Sequence, residues 1–327
     1  MHPAFSVLFL TTLIGAGQGL FLALFTVQVH ARLGLLPPVA QPSSFYGWGS
    51  TIALALLVAG LFASFFHLGR PERAWRSAAM WRTSWLSREV IVLPAFMGAV
   101  ALYGLLHAMG WTPTLPAQTA AATLDPSLVV GGVATALALA LFICTAMIYA
   151  CLRFLAEWHT PLTPLNYTLL GAASGFTLAA AYAATAAPGL VGFLSGWAIV
   201  LTLAGAAGRV ASLWRNARLK PRSTLQTAIG VKHPQVVQRS QGFMGGSFNT
   251  REFFHGASAS FMRAVKPAFL VLAFVLPVAL LALGRGEPSA GVLALAFVVQ
   301  YLGLLAERWF FFAQANHPQN LYYQAVS

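Results

Sequence analysis

The chain has 327 residues, of which 58% are hydrophobic and only 8% are charged, and its mean hydropathy is +0.72. This composition excludes a soluble globular domain and is typical of a protein that crosses the bilayer several times. The formal net charge of +12 does not indicate a nucleic-acid partner, because the basic residues stand in loops beside apolar runs. There they favour a positive cytoplasmic face or an acidic protein partner.

Apolar runs long enough to cross a membrane recur along the whole chain, which predicts an all-α bundle of eight transmembrane helices in one integral membrane domain, residues 1–327. The spans are expected near 5–29, 45–66, 89–109, 128–152, 165–186, 190–213, 267–284 and 289–312. No Lys or Arg precedes the first run, so we interpret it as a retained span and not as a signal peptide. Its glycines, Gly15, Gly17 and Gly19, indicate close helix packing, whereas Gln18 is an alternative candidate for lining a polar cavity.

The connection between spans 2 and 3, the hairpin of residues 67–88, is unusually polar. From His67 to Glu89 the sequence holds two carboxylates and five arginines, although the whole chain has only seven Asp and Glu residues. Titratable groups at the end of a membrane span are costly to place and therefore indicate a functional site. Because the hairpin returns the chain to the same membrane face, we expect His67 and Glu89 to lie within reach of each other.

His67 and Glu89 are the candidate catalytic pair. Histidine titrates near neutral pH, and a partly buried carboxyl group can also hold a proton there. Such a pair suits the proton transfer that accompanies quinone reduction or quinol oxidation. Ser87 is predicted to cap span 3, which places Glu89 in its first turn.

The tryptophans of the hairpin, Trp75, Trp81 and Trp85, offer flat apolar surfaces for a quinone ring. A structural alternative remains open, in which Glu89 is only a capping carboxylate held by Arg88 or Arg70. On residue chemistry alone this structural interpretation is favoured.

The longest polar segment, residues 214–266, carries nine Lys or Arg residues against one Glu and is predicted to be a basic docking loop with aromatic anchors. With eight spans it lies on the same side as the hairpin and both termini, so the positive-inside rule predicts that all of them are cytoplasmic. Arg209, near a span end, is expected to reach the interface by extending its side chain. The aromatic run after Glu307 and Arg308 is interpreted as an interfacial belt.

Several other functions are disfavoured by the residues available. No histidine lies in the middle of a span, which argues against a haem held by two histidines. The only cysteines, Cys144 and Cys151, cannot hold an iron–sulfur cluster and are interpreted as packing residues. No metal-site, P-loop or serine-nucleophile motif occurs. An ion or solute carrier stays open as an alternative, weakened because neither a repeat nor a charge in mid-membrane is evident.

Several motifs together resemble the DmsC family, the membrane anchors of dimethyl-sulfoxide-reductase-type molybdoenzymes. They are Met1-His-Pro-Ala-Phe-Ser-Val, His67-Leu-Gly-Arg-Pro with Ser84-Trp-Leu-Ser-Arg-Glu89, Thr224-Leu-Gln-Thr-Ala-Ile-Gly230, Gly242-Phe-Met-Gly-Gly-Ser-Phe-Asn-Thr-Arg-Glu-Phe-Phe254 and Glu307-Arg-Trp-Phe-Phe-Phe-Ala-Gln-Ala-Asn-His317. The last three look closest to the SoeC branch, the anchor of membrane-bound sulfite dehydrogenase. The resemblance covers essentially the whole chain.

The resemblance implies a three-part oxidoreductase in a bacterial inner membrane. A molybdopterin subunit performs the substrate chemistry, a ferredoxin-like subunit transfers electrons through iron–sulfur clusters, and the anchor exchanges them with ubiquinone or menaquinone. In the family the histidine and glutamate that correspond to His67 and Glu89 are tied to quinol binding. Arg70, Trp85 and Ser87 are further candidate quinone contacts, although Arg70 departs from the smaller residue expected in the dimethyl sulfoxide reductase branch.

The overall reaction that the resemblance favours is sulfite oxidation, with electrons passing to the quinone. The alternative within the family is the opposite direction, from quinol to a sulfoxide reductase. No haem and no iron–sulfur cluster are expected in this chain itself.

Overall fold

The computed structural model describes residues 5–111, 125–220, 224–236, 258–286 and 289–315, and within these ranges the regular structure is helical. The helices are α1 (Phe5–Arg32), α2 (Pro42–Phe65), α3 (Trp85–Ala108), α4 (Pro126–Ala150), α5 (Leu162–Ala186), α6 (Val191–Asn216), α7 (Leu225–Ile229), α8 (Ala259–Leu270), α9 (Leu276–Gly286) and α10 (Ala290–Ala313). Two 3₁₀ segments, Pro71–Met80 and Pro188–Leu190, and a π-helical turn, Val271–Val275, complete them.

Within the described ranges, eight helical stretches are long and apolar enough to cross a bilayer, which confirms the predicted fold class. Several helices begin a few residues before the apolar run, because a proline or a polar cap starts them. Pro42 and Pro126 occupy the first turns of α2 and α4, where a missing N–H costs nothing. The seventh span, Arg263–Gly286, joins α8 and α9 through the π-helical turn.

Helix α1 is central to the bundle and packs against α2, α4, α5 and α10. It crosses α5 at close range, because glycines of the two helices face each other there. A Cβ atom built on Gly175 would lie 2.0 Å from the carbonyl carbon of Gly19, so only glycine fits there. Gly17 is packed against α2 in the same way, since its Cβ would lie 3.0 Å from the carbonyl oxygen of Ala53. The predicted packing role of these glycines is confirmed.

One membrane face, which we call the hairpin face, holds the hairpin and the 151–161 loop. Because the spans alternate in direction, the starts of α1, α3 and α5 and the ends of α4, α6 and α10 lie there. Trp158 in the loop donates a hydrogen bond to the carbonyl of Phe311 (2.9 Å), which ties the loop to α10.

The aromatic run of α10 is part of the core. Phe310, Phe311 and Phe312 are each at most 5% exposed, packed in two clusters against α1, α4, α5 and α8. The prediction of an interfacial belt at these positions was wrong, because the 151–161 loop and α8 cover rings that hydropathy alone assigns to lipid.

A polar network joins α1, α3 and α4 at the opposite face. Asp125 caps α4 by accepting hydrogen bonds from the backbone N–H and hydroxyl of Ser127, and it forms an ion pair with Arg32. Gln28 donates to Ser127 Oγ (2.6 Å) and accepts from the hydroxyl of Tyr103 (2.8 Å). These contacts fix the far end of the bundle.

Candidate functional site

The hairpin leads into α3 through a serine cap, but not the one predicted. Ser84 has an extended backbone, and its hydroxyl accepts the N–H of Ser87 at 3.4 Å, so α3 begins at Trp85. Ser87 therefore lies inside the helix and is buried, and Glu89 stands in the second turn. The prediction of a Ser87 cap was wrong because two serines three residues apart both suit that role and the extended backbone occurs at the first.

Glu89 is buried, with 8% of its surface exposed. Its Oε1 accepts a hydrogen bond from the hydroxyl of Thr145 in α4 at 2.5 Å. Trp85 stands four residues earlier, on the same face of α3. Glu89 is thus a carboxyl group inside the bundle that accepts its hydrogen bond from a neutral hydroxyl group.

The structural alternative for Glu89 required an arginine to hold it. Arg88 instead lies over the ring of Trp85 (4.3 Å) and donates to the carbonyls of Trp81 and Arg82. Arg70 is exposed on the hairpin. No ion pair between Glu89 and an arginine is found in the described part of the chain.

Glu89 borders a small internal cavity between α1, α3, α4, α5 and α10. About 20 Å³ of this space is open to water-sized molecules, which is too narrow for a quinone ring. The polar residues that line it are Thr11, Thr12, Gln18, Glu89, Thr145, Tyr167, Ser174 and Arg308. Gln18 lines the cavity and donates a hydrogen bond to the carbonyl of Ala138 (2.8 Å). The alternative interpretation of Gln18, as a residue that lines a polar cavity, is therefore confirmed.

His67 does not line that cavity and lies exposed just after the end of α2. Residues around it remove part of the water from its ring, and this desolvation lowers the pKa of His67 below 6.5. The tryptophans Trp75 and Trp81 are exposed on the hairpin, with the guanidinium groups of Arg76 and Arg82 near their rings. The structure therefore places Trp85 and Glu89 on one face of α3 and Ser87 on another, and leaves His67 and Arg70 on the exposed part of the hairpin.

A second charged group lies inside the bundle near the hairpin face. Arg209 of α6 and Glu307 of α10 form an ion pair at 2.7 Å, and both side chains are only 2% exposed. The guanidinium of Arg209 also faces the rings of Phe269 and Phe310. The prediction that Arg209 extends to the interface was wrong, because a carboxylate partner inside the bundle holds it there.

Arg308 joins this group to the Glu89 cavity. Its guanidinium lies 3.6 Å from the ring of Tyr167 and 4.0 Å from Glu307, and it is 5% exposed.

The sequence disfavoured a carrier because no charge was expected in the middle of a span. The charges of Arg209, Glu307 and Arg308 are inside the bundle, but they stand near one membrane face and not at the middle of the helices.

Residues missed by sequence reasoning include Thr145, Tyr167, Glu307 and Arg308. The only signal for Glu307 and Arg308 was an adjacent acid and base inside an apolar run of a chain that has few acids. Thr145 and Tyr167 carried no signal, because hydroxyl residues are common in packed transmembrane helices.

Only parts of the basic 214–266 segment lie within the described residues. Arg215 donates to the carbonyl of Ala156 (3.0 Å), Arg218 lies over the ring of Trp214 (3.5 Å), and Lys220 and Lys232 are exposed. The predicted aromatic anchors, Phe243, Phe248, Phe253 and Phe254, lie outside the described residues. Among the residues that are described, no group of three or more His, Cys, Asp or Glu side chains could hold a metal ion.

Eight apolar spans, a basic hairpin and a buried carboxyl group beneath it define a polytopic membrane protein with a polar site near one face. The sequence profile described as DMSO reductase anchor subunit (DmsC) matches residues 1–314. The chain belongs to this family of membrane anchors. It is also similar to a sulfite dehydrogenase subunit of Allochromatium vinosum, with 60% identity over 327 residues that cover both chains completely. Both findings confirm the resemblance that the motifs indicated.

Proposed function

We propose that this chain is the quinone-reactive anchor of a molybdoenzyme complex that oxidises sulfite. A partner iron–sulfur subunit passes electrons from the molybdopterin subunit to the anchor, which delivers them to ubiquinone or menaquinone. Oxidation of sulfite to sulfate with water releases two electrons and two protons, and reduction of a quinone takes up two of each. The similarity to a sulfite dehydrogenase subunit supports this direction over quinol oxidation by a sulfoxide reductase.

The single observation that carries the proposal is the buried Glu89 carboxyl group beneath the hairpin. A proton-carrying group inside a membrane bundle is costly and marks a functional site. A quinone ring is too large for the cavity behind Glu89, so we place the ring on the hairpin side of α3, where Trp85 shares a face with Glu89. Glu89 and His67 then exchange the protons that the quinone takes up, and Arg70 and Ser87 are further candidate contacts.

The charge distribution supports docking of the electron-carrying partner at the hairpin face. The hairpin arginines and the exposed Lys220 and Lys232 give this face a positive surface that suits an acidic or polar partner. The positive-inside rule supports a cytoplasmic location of this face in the bacterial inner membrane. Electron transfer then reaches the membrane on the side where Glu89 lies.

Purification of the tagged full chain from its host in mild detergent tests the proposal. We expect molybdenum and an iron–sulfur subunit to co-purify, and sulfite to reduce an added quinone only when all three subunits are present. A stable lone chain would support a carrier and contradict an anchor. If the purified complex oxidises quinol with a sulfoxide faster than it reduces quinone with sulfite, the proposed direction of electron transfer is reversed. A strong Soret band in the optical spectrum would contradict the absence of haem.

A further inference from the structure

A second small cavity lies beside the buried ion pair, between α5, α6, α10 and the 151–161 loop. About 10 Å³ of it is open to water-sized molecules. Its polar lining consists of Glu157, Thr163, Asn166, Tyr167, Arg209, Ser212, Glu307 and Arg308. Glu157 is half-buried in the loop at the hairpin face, so this cavity begins close to the aqueous phase.

Several polar atoms on its lining residues have no hydrogen-bond partner within the described part of the protein. They include Oδ1 of Asn166, Nη2 of Arg209, Oε2 of Glu307 and the hydroxyl of Tyr167. Buried polar groups of this kind are normally satisfied by ordered water, and a space of about 10–15 Å³ is enough for one molecule. The cavity thus suits a single water that bridges Asn166, Arg209 and Glu307.

This cavity and the Glu89 cavity share two lining residues, Tyr167 and Arg308. Both spaces are of water size, and neither admits a quinone. Polar residues therefore line the two adjoining spaces from Glu157 at the hairpin face, past Glu307 and Tyr167, to Glu89. Polar groups in sequence through an apolar bundle are the arrangement that carries protons in membrane proteins.

We propose that the two cavities form a proton route between the aqueous phase at the hairpin face and Glu89. This inference rests on the proposed function, in which Glu89 exchanges protons with a quinone. Glu157 stands at the entrance, and the hydroxyl of Tyr167 lies at the wall between the cavities. A proton from hydronium in the aqueous phase passes along bound water and these side chains and ends on the Glu89 carboxylate, which becomes a carboxylic acid.

The charges of the buried group are consistent with passage of one proton at a time. When Glu89 and Glu307 are both ionised, they balance Arg209 and Arg308, so an arriving proton meets no net positive charge. After Glu89 has taken the proton, the group carries one net positive charge that opposes a second arrival. The route is therefore ready again only when Glu89 has passed its proton to the quinone.

Variants in the assembled complex test the route. Glu157→Gln removes the entrance carboxylate, and Tyr167→Phe removes the hydroxyl and keeps the ring beneath Arg308. We expect each to lower the maximal rate of quinone-linked turnover about tenfold, because proton transfer becomes limiting. The KM for quinone should stay unchanged and the solvent deuterium isotope effect should rise. Matched controls are Glu72→Gln on the exposed hairpin and Tyr182→Phe, whose hydroxyl bonds the carbonyl of Phe45 at the opposite face.

Glu89→Gln in the same complex separates failure of the route from failure of the proposed function. If Glu89→Gln abolishes turnover while Glu157→Gln and Tyr167→Phe keep the wild-type rate and isotope effect, the route is overturned and the function stands. If Glu89→Gln is also without effect, the proposed function fails and the route with it. Equal amounts of assembled complex in all variants exclude loss of folding as the cause.

Discussion

Replacement of Glu307 by glutamine tests whether the buried charges are paired as the structure places them. The carboxylate lies 2.7 Å from Arg209, and both groups are 2% exposed. Glutamine keeps the size of the side chain and removes its charge, so the guanidinium of Arg209 would stay buried without a counter-charge. Loss of one partner of a buried pair costs about 3–5 kcal/mol, and we expect a free energy of unfolding lower by that amount.

Removal of both partners is expected to cost less than removal of one. The attraction within a buried pair is largely offset by the desolvation of its two ions, so the double variant Arg209→Met with Glu307→Leu leaves no unpaired charge at this position. The double variant should still be less stable than the wild type, because Arg308 lies 4.0 Å from Glu307 and loses a nearby carboxylate. The stability of the double variant should therefore lie between those of Glu307→Gln and the wild type.

Reversible unfolding of the full chain in mixed detergent micelles measures the free energy of unfolding of the Glu307→Gln variant and of the double variant. The control is Glu72→Gln, which removes the exposed partner of Arg73 at 3.8 Å and should change stability by about 0–1 kcal/mol. A Glu307→Gln variant as stable as this control, or a double variant less stable than Glu307→Gln, would refute the reasoning.

Three further predictions concern other parts of the molecule. Gly175→Ala should cost about 1–3 kcal/mol in the same unfolding assay, because its Cβ would lie 2.0 Å from the backbone of α1, whereas Gly196→Ala, with open space around it, should not. The pKa of His67 measured by NMR on the full chain should lie below 6.5, because partial desolvation disfavours its protonated form in the folded state; stability therefore decreases as the pH falls through this range, and a pKa above 6.5 would contradict this desolvation. A membrane-impermeant maleimide should label the exposed Cys151 from the cytoplasmic side and leave the buried Cys144 unmodified; labelling of Cys151 only from the outside would contradict the predicted orientation.

The number and order of the spans were predictable, because a bilayer demands long apolar runs and the chain has few charges to interrupt them. Helix starts were less predictable. The prolines Pro42 and Pro126 and the caps Asp125 and Ser84 extend helices beyond the apolar runs. The choice between Ser84 and Ser87 depends on backbone conformation, which residue type does not determine.

The candidate site was predictable only in part. Glu89 was identified because an acid beside a membrane span is rare, but its partner Thr145 is 56 residues away and could not be chosen from sequence. The same holds for Arg209 and Glu307, which lie in helices that are distant in the sequence and adjacent in the bundle. The structure places His67 on the exposed hairpin and Glu89 at an internal cavity. That the two residues lie within reach of each other stays a prediction.

The central claim is that Glu89 and His67 serve proton exchange with a quinone at the hairpin face. The most direct measurement compares quinone-linked turnover of the assembled complex carrying Glu89→Gln or His67→Ala with that of Glu72→Gln and the wild type. We expect all complexes to assemble equally and turnover to fall about 100-fold or more in the first two variants, because a positioned proton-transfer group contributes that much. Wild-type turnover in both Glu89→Gln and His67→Ala would contradict the account.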